Sequence, residues 1–214
     1  MSQVKGLCVM DVDGTLILEE VIDLLGREAG CEEEIAQLTS QAMRGELDFE
    51  SSLRKRVSLL EGLPVSVFEK VFNSIHLTPN AQEFISILQK NGIIVGLVSG
   101  GFTPIVERLA ESLGISYFSA NQLEVKDGFL TGKSVGEIVT GQVKKATLER
   151  WRKELELPKE RTIAIGDGAN DLLMLKTAGH GIAFCAKEVV KAEIACHVDT
   201  RDFLEVLPLI DFLE

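Results

Sequence analysis

The chain has 214 residues, 45% hydrophobic and 26% charged, which suffices for one core domain plus a smaller insertion, without stapling disulfides. Its net charge of −11 excludes a general nucleic-acid binder, because phosphate backbones are held by clustered Lys and Arg. The opening MSQVKGLCVM lacks a basic-then-apolar leader, and no apolar run approaches the ~20 residues of a membrane span, so a soluble cytoplasmic protein with no membrane partner is expected.

In chain order, the first apolar run, VKGLCVM, reads as a buried strand that stops at Asp11-Val12-Asp13-Gly14-Thr15. About eighty residues then separate it from the next strand, far more than one crossover helix needs. They carry helical patterns over Glu19–Ala29, Glu32–Arg44, Asp48–Leu60 and Pro64–Ile75, with Gly30 and Gly45 as stops. We read them as a helical-bundle cap, residues 17–76, inserted into a core of residues 1–16 and 77–214.

Further strands are expected at GIIVGLVS, ISYFSA, RTIAIGD, HGIAFCA and IACHV, alternating with helices. Thr78-Pro79 and Thr103-Pro104 suit helix starts, and Gly92, Gly114 and Gly179 suit helix ends. The stretch around Lys126-Asp127-Gly128 reads as a small β-hairpin, and RDFLEVLPLIDFLE as a terminal helix packed back on the sheet. The fold class is therefore α/β, a parallel sheet covered by helices.

Cys8, Cys31, Cys185 and Cys196 show neither a C-x-x-C pair nor zinc-ligand spacing, and are expected as buried free thiols. His76, His180 and His197 are too dispersed in sequence to suggest an imidazole metal site.

In an open parallel sheet, ligands bind beyond the carboxyl ends of the strands. Three such ends carry chemistry: Asp11-Val12-Asp13-Gly14-Thr15, Ser99-Gly100-Gly101, and GDGAND with Asp167, Asn170 and Asp171. Each alone reads equally as a turn or helix cap, and Lys144 alone as a solvated lysine. Together they are complementary. Asp11, Asp13 and Asp167 offer the oxygen ligands that a magnesium ion takes. Ser99, the backbone N–H groups after it and Lys144 suit phosphoryl oxygens.

In the predicted helix from Asp48, Phe49, Leu53, Val57 and Leu60 form an apolar stripe with Arg56 in its middle. A guanidinium facing a packed interior needs an anion. Glu20, on the first cap helix, offers the opposite charge. Arg56 and Glu20 either pair with each other or hold an amino acid's carboxylate and ammonium.

DVDGT, SGG, a lysine and GDGAND, in this order, resemble the four motifs of the haloacid dehalogenase (HAD) superfamily of aspartate-nucleophile phosphohydrolases. Over nearly the whole chain the sequence resembles its phosphoserine phosphatase branch, through EEVIDLL, AMRGELDFESSLRKRVSLLEGL, LTPNA, VSGGF, AN.LEVKDG.LTG (dots for Gln122 and Phe129) and AIGDGANDLLML...GIAFCAK. The resemblance implies a HAD-like Rossmannoid core and Mg2+-dependent hydrolysis of O-phosphoserine through a phosphoaspartate, as the last step of serine biosynthesis. The alternative is a phosphatase or phosphotransferase acting on another small phosphomonoester.

It implies Asp11 as nucleophile and Asp13 as general acid and base. Magnesium would be held by the Asp11 carboxylate, the Asp13 backbone carbonyl and Asp167, with Asp171 in support. Ser99, Gly100, Lys144 and Asn170 would contact phosphate or nucleophile, and Glu20, Arg56, Met43 and Phe49 the rest of the substrate. The implied partner is a small molecule, and the implied state a monomer or homodimer. Gly14 departs from the branch, which usually has serine there.

Overall fold

The computed structural model describes residues 4–43 and 46–211. Among these residues, seven strands form one sheet in the order β4-β3-β2-β1-β5-β6-β7. They are β1 (Gly6–Met10), β2 (Ile93–Phe102), β3 (Tyr117–Lys126), β4 (Phe129–Val135), β5 (Thr162–Gly166), β6 (His180–Phe184) and β7 (His197–Val198). All neighbours pair in parallel except β3 and β4, the hairpin. Its turn places Asp127 at φ 53° and Gly128 at φ 84°, the doubly left-handed geometry that joins twisted strands tightly.

β1 is buried along its whole length, as a central parallel strand covered on both faces must be. Its residues alternate between two cores: Cys8 and Met10 pack with Leu97, Ile165 and Phe184, while Leu7 and Val9 pack with Leu148, Trp151 and Ala164. The register matters for function. Met10, the last residue of β1, pairs with Leu97 on one side and Ile165 on the other. The residues that follow each of these three, Asp11, Ser99 and Asp167 among them, therefore emerge at one edge of the sheet.

Between β1 and β2 lie α1 (Val21–Ala29), α2 (Glu32–Met43), α3 (Phe49–Ser58), α4 (Val67–Phe72) and α5 (Ala81–Lys90). The first four follow one another between β1 and α5, and an antiparallel bridge of Ile17 with Leu77 joins the chain before them to the chain after them. α3 starts where Asp48 accepts a hydrogen bond from the Ser51 amide at 3.0 Å, an N-cap. α1 stops at Gly30, left-handed at φ 71°. The other helices are α6 (Thr103–Ser112), α7 (Gly141–Glu154), α8 (Leu172–Thr177) and α9 (Glu188–Lys191). Arg108 of α6 stacks 4.4 Å from the Phe72 ring centroid and ties insertion to core.

Several local expectations need correction. α1 begins at Val21, so Glu20 precedes the helix rather than riding on it, and α4 occupies only the middle of Pro64–Ile75. α5 begins at Ala81 behind Asn80, at φ 59°; the Thr78 hydroxyl is drawn off to the Thr15 carbonyl at 2.7 Å. Gly179 is no left-handed cap: its role is steric, since a Cβ there would sit 2.4 Å from the Lys159 carbonyl oxygen. β7 spans two residues of IACHV, and the terminal segment is a 3₁₀ helix, Phe203–Leu209, with Pro208 inside it. It does pack back, with Phe203 stacked between Phe84 and Phe184 at 5.2 and 4.5 Å. All four cysteines are free thiols, but only Cys8 is buried outright, with burial pushing its pKa up. Arg44 and Gly45 lie outside the described residues, as does the side chain of Met43.

Candidate active site

After β1 the backbone turns at once. Asp11 caps the turn, its Oδ1 accepting from the Val12 amide at 2.8 Å, and Gly14 takes φ 71°. A Cβ at Gly14 would stand 3.2 Å from Oδ2 of Asp167, so glycine both relieves the left-handed backbone and leaves that carboxylate room. The serine usual in the resembling branch would have to accept this positive φ.

Lys144, on the first turn of α7, is fully buried and donates from Nζ to Oδ1 of Asp11 and Oδ1 of Asp171, both at 2.7 Å. Burial alone would lower its pKa, but the two carboxylates outweigh it and hold the ammonium charged. Asp171 spends its second oxygen on the Gly168 amide at 3.0 Å. It is thus committed to orienting Lys144 and the loop. α7 can approach because Gly141 has no side chain: a Cβ there would lie 2.9 Å from the Asn170 carbonyl.

One oxygen each from Asp11, Asp167 and Asp171 can be chosen so that all lie within 4.8 Å of one another. Both hydrogen bonds to Asp11 fall on Oδ1, and Thr15 donates to Oδ1 of Asp167 at 2.9 Å. Among the described residues, Oδ2 of Asp11 and Oδ2 of Asp167 accept no hydrogen bond. Burial first, then Asp171, push the Asp11 carboxyl up against the pull of Lys144; burial and Asp171 also raise Asp167. Three carboxylates around one ammonium leave negative charge uncompensated. An all-oxygen donor set with that excess fits a hard divalent cation. The Asp13 carboxylate stands outside this cluster.

Asp13 points elsewhere. Its Oδ1 is buried without a hydrogen-bond partner among the described residues. Burial and then the Glu20 charge push its pKa well above the ordinary carboxylate value, although the Val21 amide and Lys144 work the other way. A carboxyl that holds its proton more tightly than usual suits a general acid.

These groups open on a cavity of about 670 Å³ between the sheet edge and the insertion. Asp11, Asp13, Glu20, Phe49, Arg56, Gly100, Asp167 and Asn170 line it; Ser99, next to Gly100, and Lys144, bonded to Asp11, are fully buried and do not line it. Arg56 donates only weakly, to the Ser52 carbonyl at 3.4 Å and the Thr39 hydroxyl at 3.5 Å. Burial lowers its pKa, while Glu20 and Asp23 act to raise it. Among the described residues Arg56 and Glu20 make no ion pair within 4.0 Å, although both face the cavity. The pairing of the two with each other, open from spacing alone, is absent.

Sequence reasoning missed two contributors here. Thr15 stands in the first motif with nothing local to mark it, yet its hydroxyl orients Asp167. Lys187 lines the cavity, its amide donates to the Asp167 carbonyl at 3.0 Å, and its charge lowers the pKa of both Glu20 and Asp167. Only the apolar run ending at Phe184 signalled a strand end there.

The family model of haloacid dehalogenase-like hydrolases matches residues 8–176. A phosphoserine phosphatase of Streptococcus thermophilus is 56% identical over 211 residues, 99% of this chain and 98% of its own. One from Methanocaldococcus jannaschii is 46% identical over 98% of this chain and 100% of its own. Of the solved structures, a substrate-bound phosphoserine phosphatase complex superposes with a TM-score of 0.92 at 45% identity, covering 98% of this chain and 100% of that one. A phospho-aspartyl intermediate analogue of phosphoserine phosphatase does so with a TM-score of 0.91 at 46% identity, covering 97% and 99%. The chain belongs to the haloacid dehalogenase-like hydrolases and, within them, to the phosphoserine phosphatase family.

Proposed function

We propose that this protein hydrolyses O-phospho-L-serine to L-serine and phosphate, as its relatives' names indicate for them, and so completes serine biosynthesis in the cytoplasm. In this reading residues 1–16 and 77–214 are the catalytic core and 17–76 the cap. The observation that carries the substrate is the cavity: Asp11 and Asp13 line it together with Arg56 and Glu20, groups of opposite charge that make no close ion pair with each other among the described residues. The carboxylate of phosphoserine would meet Arg56 and its ammonium Glu20. Phe49, and Met43 by the resemblance, would add apolar contact.

Mg2+ is the proposed metal, held by the Asp11 carboxylate, the Asp13 carbonyl and Asp167, and when bound it screens the repulsion between nucleophile and phosphoryl group. Asp11 attacks phosphorus with a carboxylate oxygen while the bond from phosphorus to the serine oxygen breaks. Asp13 gives that oxygen its proton. Lys144, Ser99, Asn170 and the Gly100 amide take the charge on the remaining phosphoryl oxygens. The resulting Asp13 carboxylate then removes a proton from a water whose oxygen attacks phosphorus, the bond to Asp11 breaks, and phosphate departs. Acid quenching of turnover with ³²P-labelled phosphoserine, followed by peptide mapping, tests this: label is expected on Asp11, and label elsewhere or nowhere overturns it.

A further inference from the structure

We infer that Asn121 is a positioning residue for phosphoryl binding, one that sets the direction of the Gly100 peptide. The inference deepens the function proposed above, because it concerns the phosphate end of the same site. Asn121 lies on β3, is 1% exposed, and does not line the cavity. Its side chain nevertheless bridges two segments that do. Nδ2 donates to the Gly100 carbonyl at 2.8 Å, and Oδ1 accepts from the Val139 amide at 2.8 Å, one residue ahead of Thr140, the N-cap of α7. The assignment is unambiguous, since a carbonyl can only accept and an amide can only donate.

The reason lies in the strand register. β2 and β3 pair regularly from Gly96 with Tyr117 to Val98 with Ser119, then slip, and resume at Phe102 with Asn121. Three residues of β2, Ser99 to Gly101, thus lie opposite one of β3, Ala120, and the extra backbone bulges, with Gly100 and Gly101 lining the cavity. A bulge leaves carbonyls without ladder partners. Asn121 replaces the missing one with its side chain. The Gly100-Gly101 peptide is then fixed at both ends: its carbonyl by Asn121, and its N–H by Ser99 Oγ at 2.8 Å. With that plane held, the backbone through Gly100, and with it the Gly100 amide, has less freedom to turn. A Thr103 hydroxyl bond to the Asn121 carbonyl at 3.1 Å secures the bridge from the far side. Through Val139 the same side chain holds the entry to α7, which carries Lys144.

Two variants remove the donor differently. Asn121→Leu does so without charge; Asn121→Asp keeps the acceptor for Val139 but sets a carboxylate oxygen against the Gly100 carbonyl. Binding of inorganic phosphate and of L-serine is measured separately by calorimetry in magnesium buffer, on variants whose thermal unfolding confirms folding. Both variants are expected to bind phosphate at least about tenfold more weakly, the scale of one hydrogen bond to a charged group, with L-serine affinity changed less than twofold. Equal losses for both ligands would show a merely structural role, and unchanged phosphate affinity in Asn121→Leu would overturn the inference. Should Asn121→Leu prove unfolded, Asn121→Asp and Asn121→Ser decide by the same criterion. Failure of wild-type protein to hydrolyse phosphoserine would sink the substrate assignment while leaving this phosphate measurement valid.

Discussion

Lys144 Nζ lies 2.7 Å from Oδ1 of Asp171, and neither side chain has any exposure to solvent. A buried ammonium so placed is costly to strand and costly to remove. Lys144→Met leaves Asp11 and Asp171 facing each other without compensation, and is expected to destabilise the fold by about 3–5 kcal/mol. Adding Asp171→Asn should recover much of that loss, because one of the unpaired charges goes with it. Denaturant unfolding of the two single variants and the double variant measures the coupling. Additive losses would show that the pair is not a unit.

The Asp13 carboxyl works against stability. Its folded pKa is raised, chiefly by burial and next by Glu20, so the folded state holds its proton to higher pH than the unfolded state, which gives it up above the ordinary value of 3.8. Stability from this group therefore falls as pH rises from that value to the folded pKa. In chelator, Asp13→Asn should unfold at a higher temperature than wild type at neutral pH, with a flatter pH profile, while turnover is lost. A lower melting temperature at neutral pH would contradict a raised Asp13 pKa.

For Arg56, the expected signature is selectivity. Arg56→Ala should lower kcat/KM for phosphoserine by about 100-fold, the scale of a charge-assisted bidentate contact. p-Nitrophenyl phosphate, which has no carboxylate, should lose far less. Equal losses on both substrates would remove Arg56 from carboxylate recognition.

Asp11→Asn keeps the shape of the turn but removes the attacking charge. Phosphate release should fall by at least about 1,000-fold, since covalent catalysis is removed and not merely weakened. Binding of the unreacted ester should persist, and calorimetry in magnesium buffer can follow it. Near-normal turnover would exclude Asp11 as the nucleophile.

How much of this was legible beforehand follows from distance along the chain. Asp11, Ser99 and Asp167 could be found because each ends an apolar run, and parallel pairing brings such ends together whatever the helices between them do. Arg56 stood out because it interrupts an apolar stripe on one helix. Asn121, by contrast, acts on Gly100 and Val139, and Thr15 acts on Asp167, 152 residues away. Nothing local distinguishes these side chains from ordinary strand and turn residues. The helix start at Asn80 was obscured for a related reason: the Thr78 hydroxyl that should have capped it is used by the Thr15 carbonyl, across the bridge of Ile17 with Leu77.

The most direct test of the substrate is a magnesium-dependent phosphate-release assay on the wild-type protein, comparing kcat/KM for O-phospho-L-serine, phosphothreonine, sugar phosphates and p-nitrophenyl phosphate. Phosphoserine is expected to exceed every other ester, because it alone matches the charges of Arg56 and Glu20 without the added methyl group of phosphothreonine. A sugar phosphate turned over more efficiently than phosphoserine would contradict the assignment.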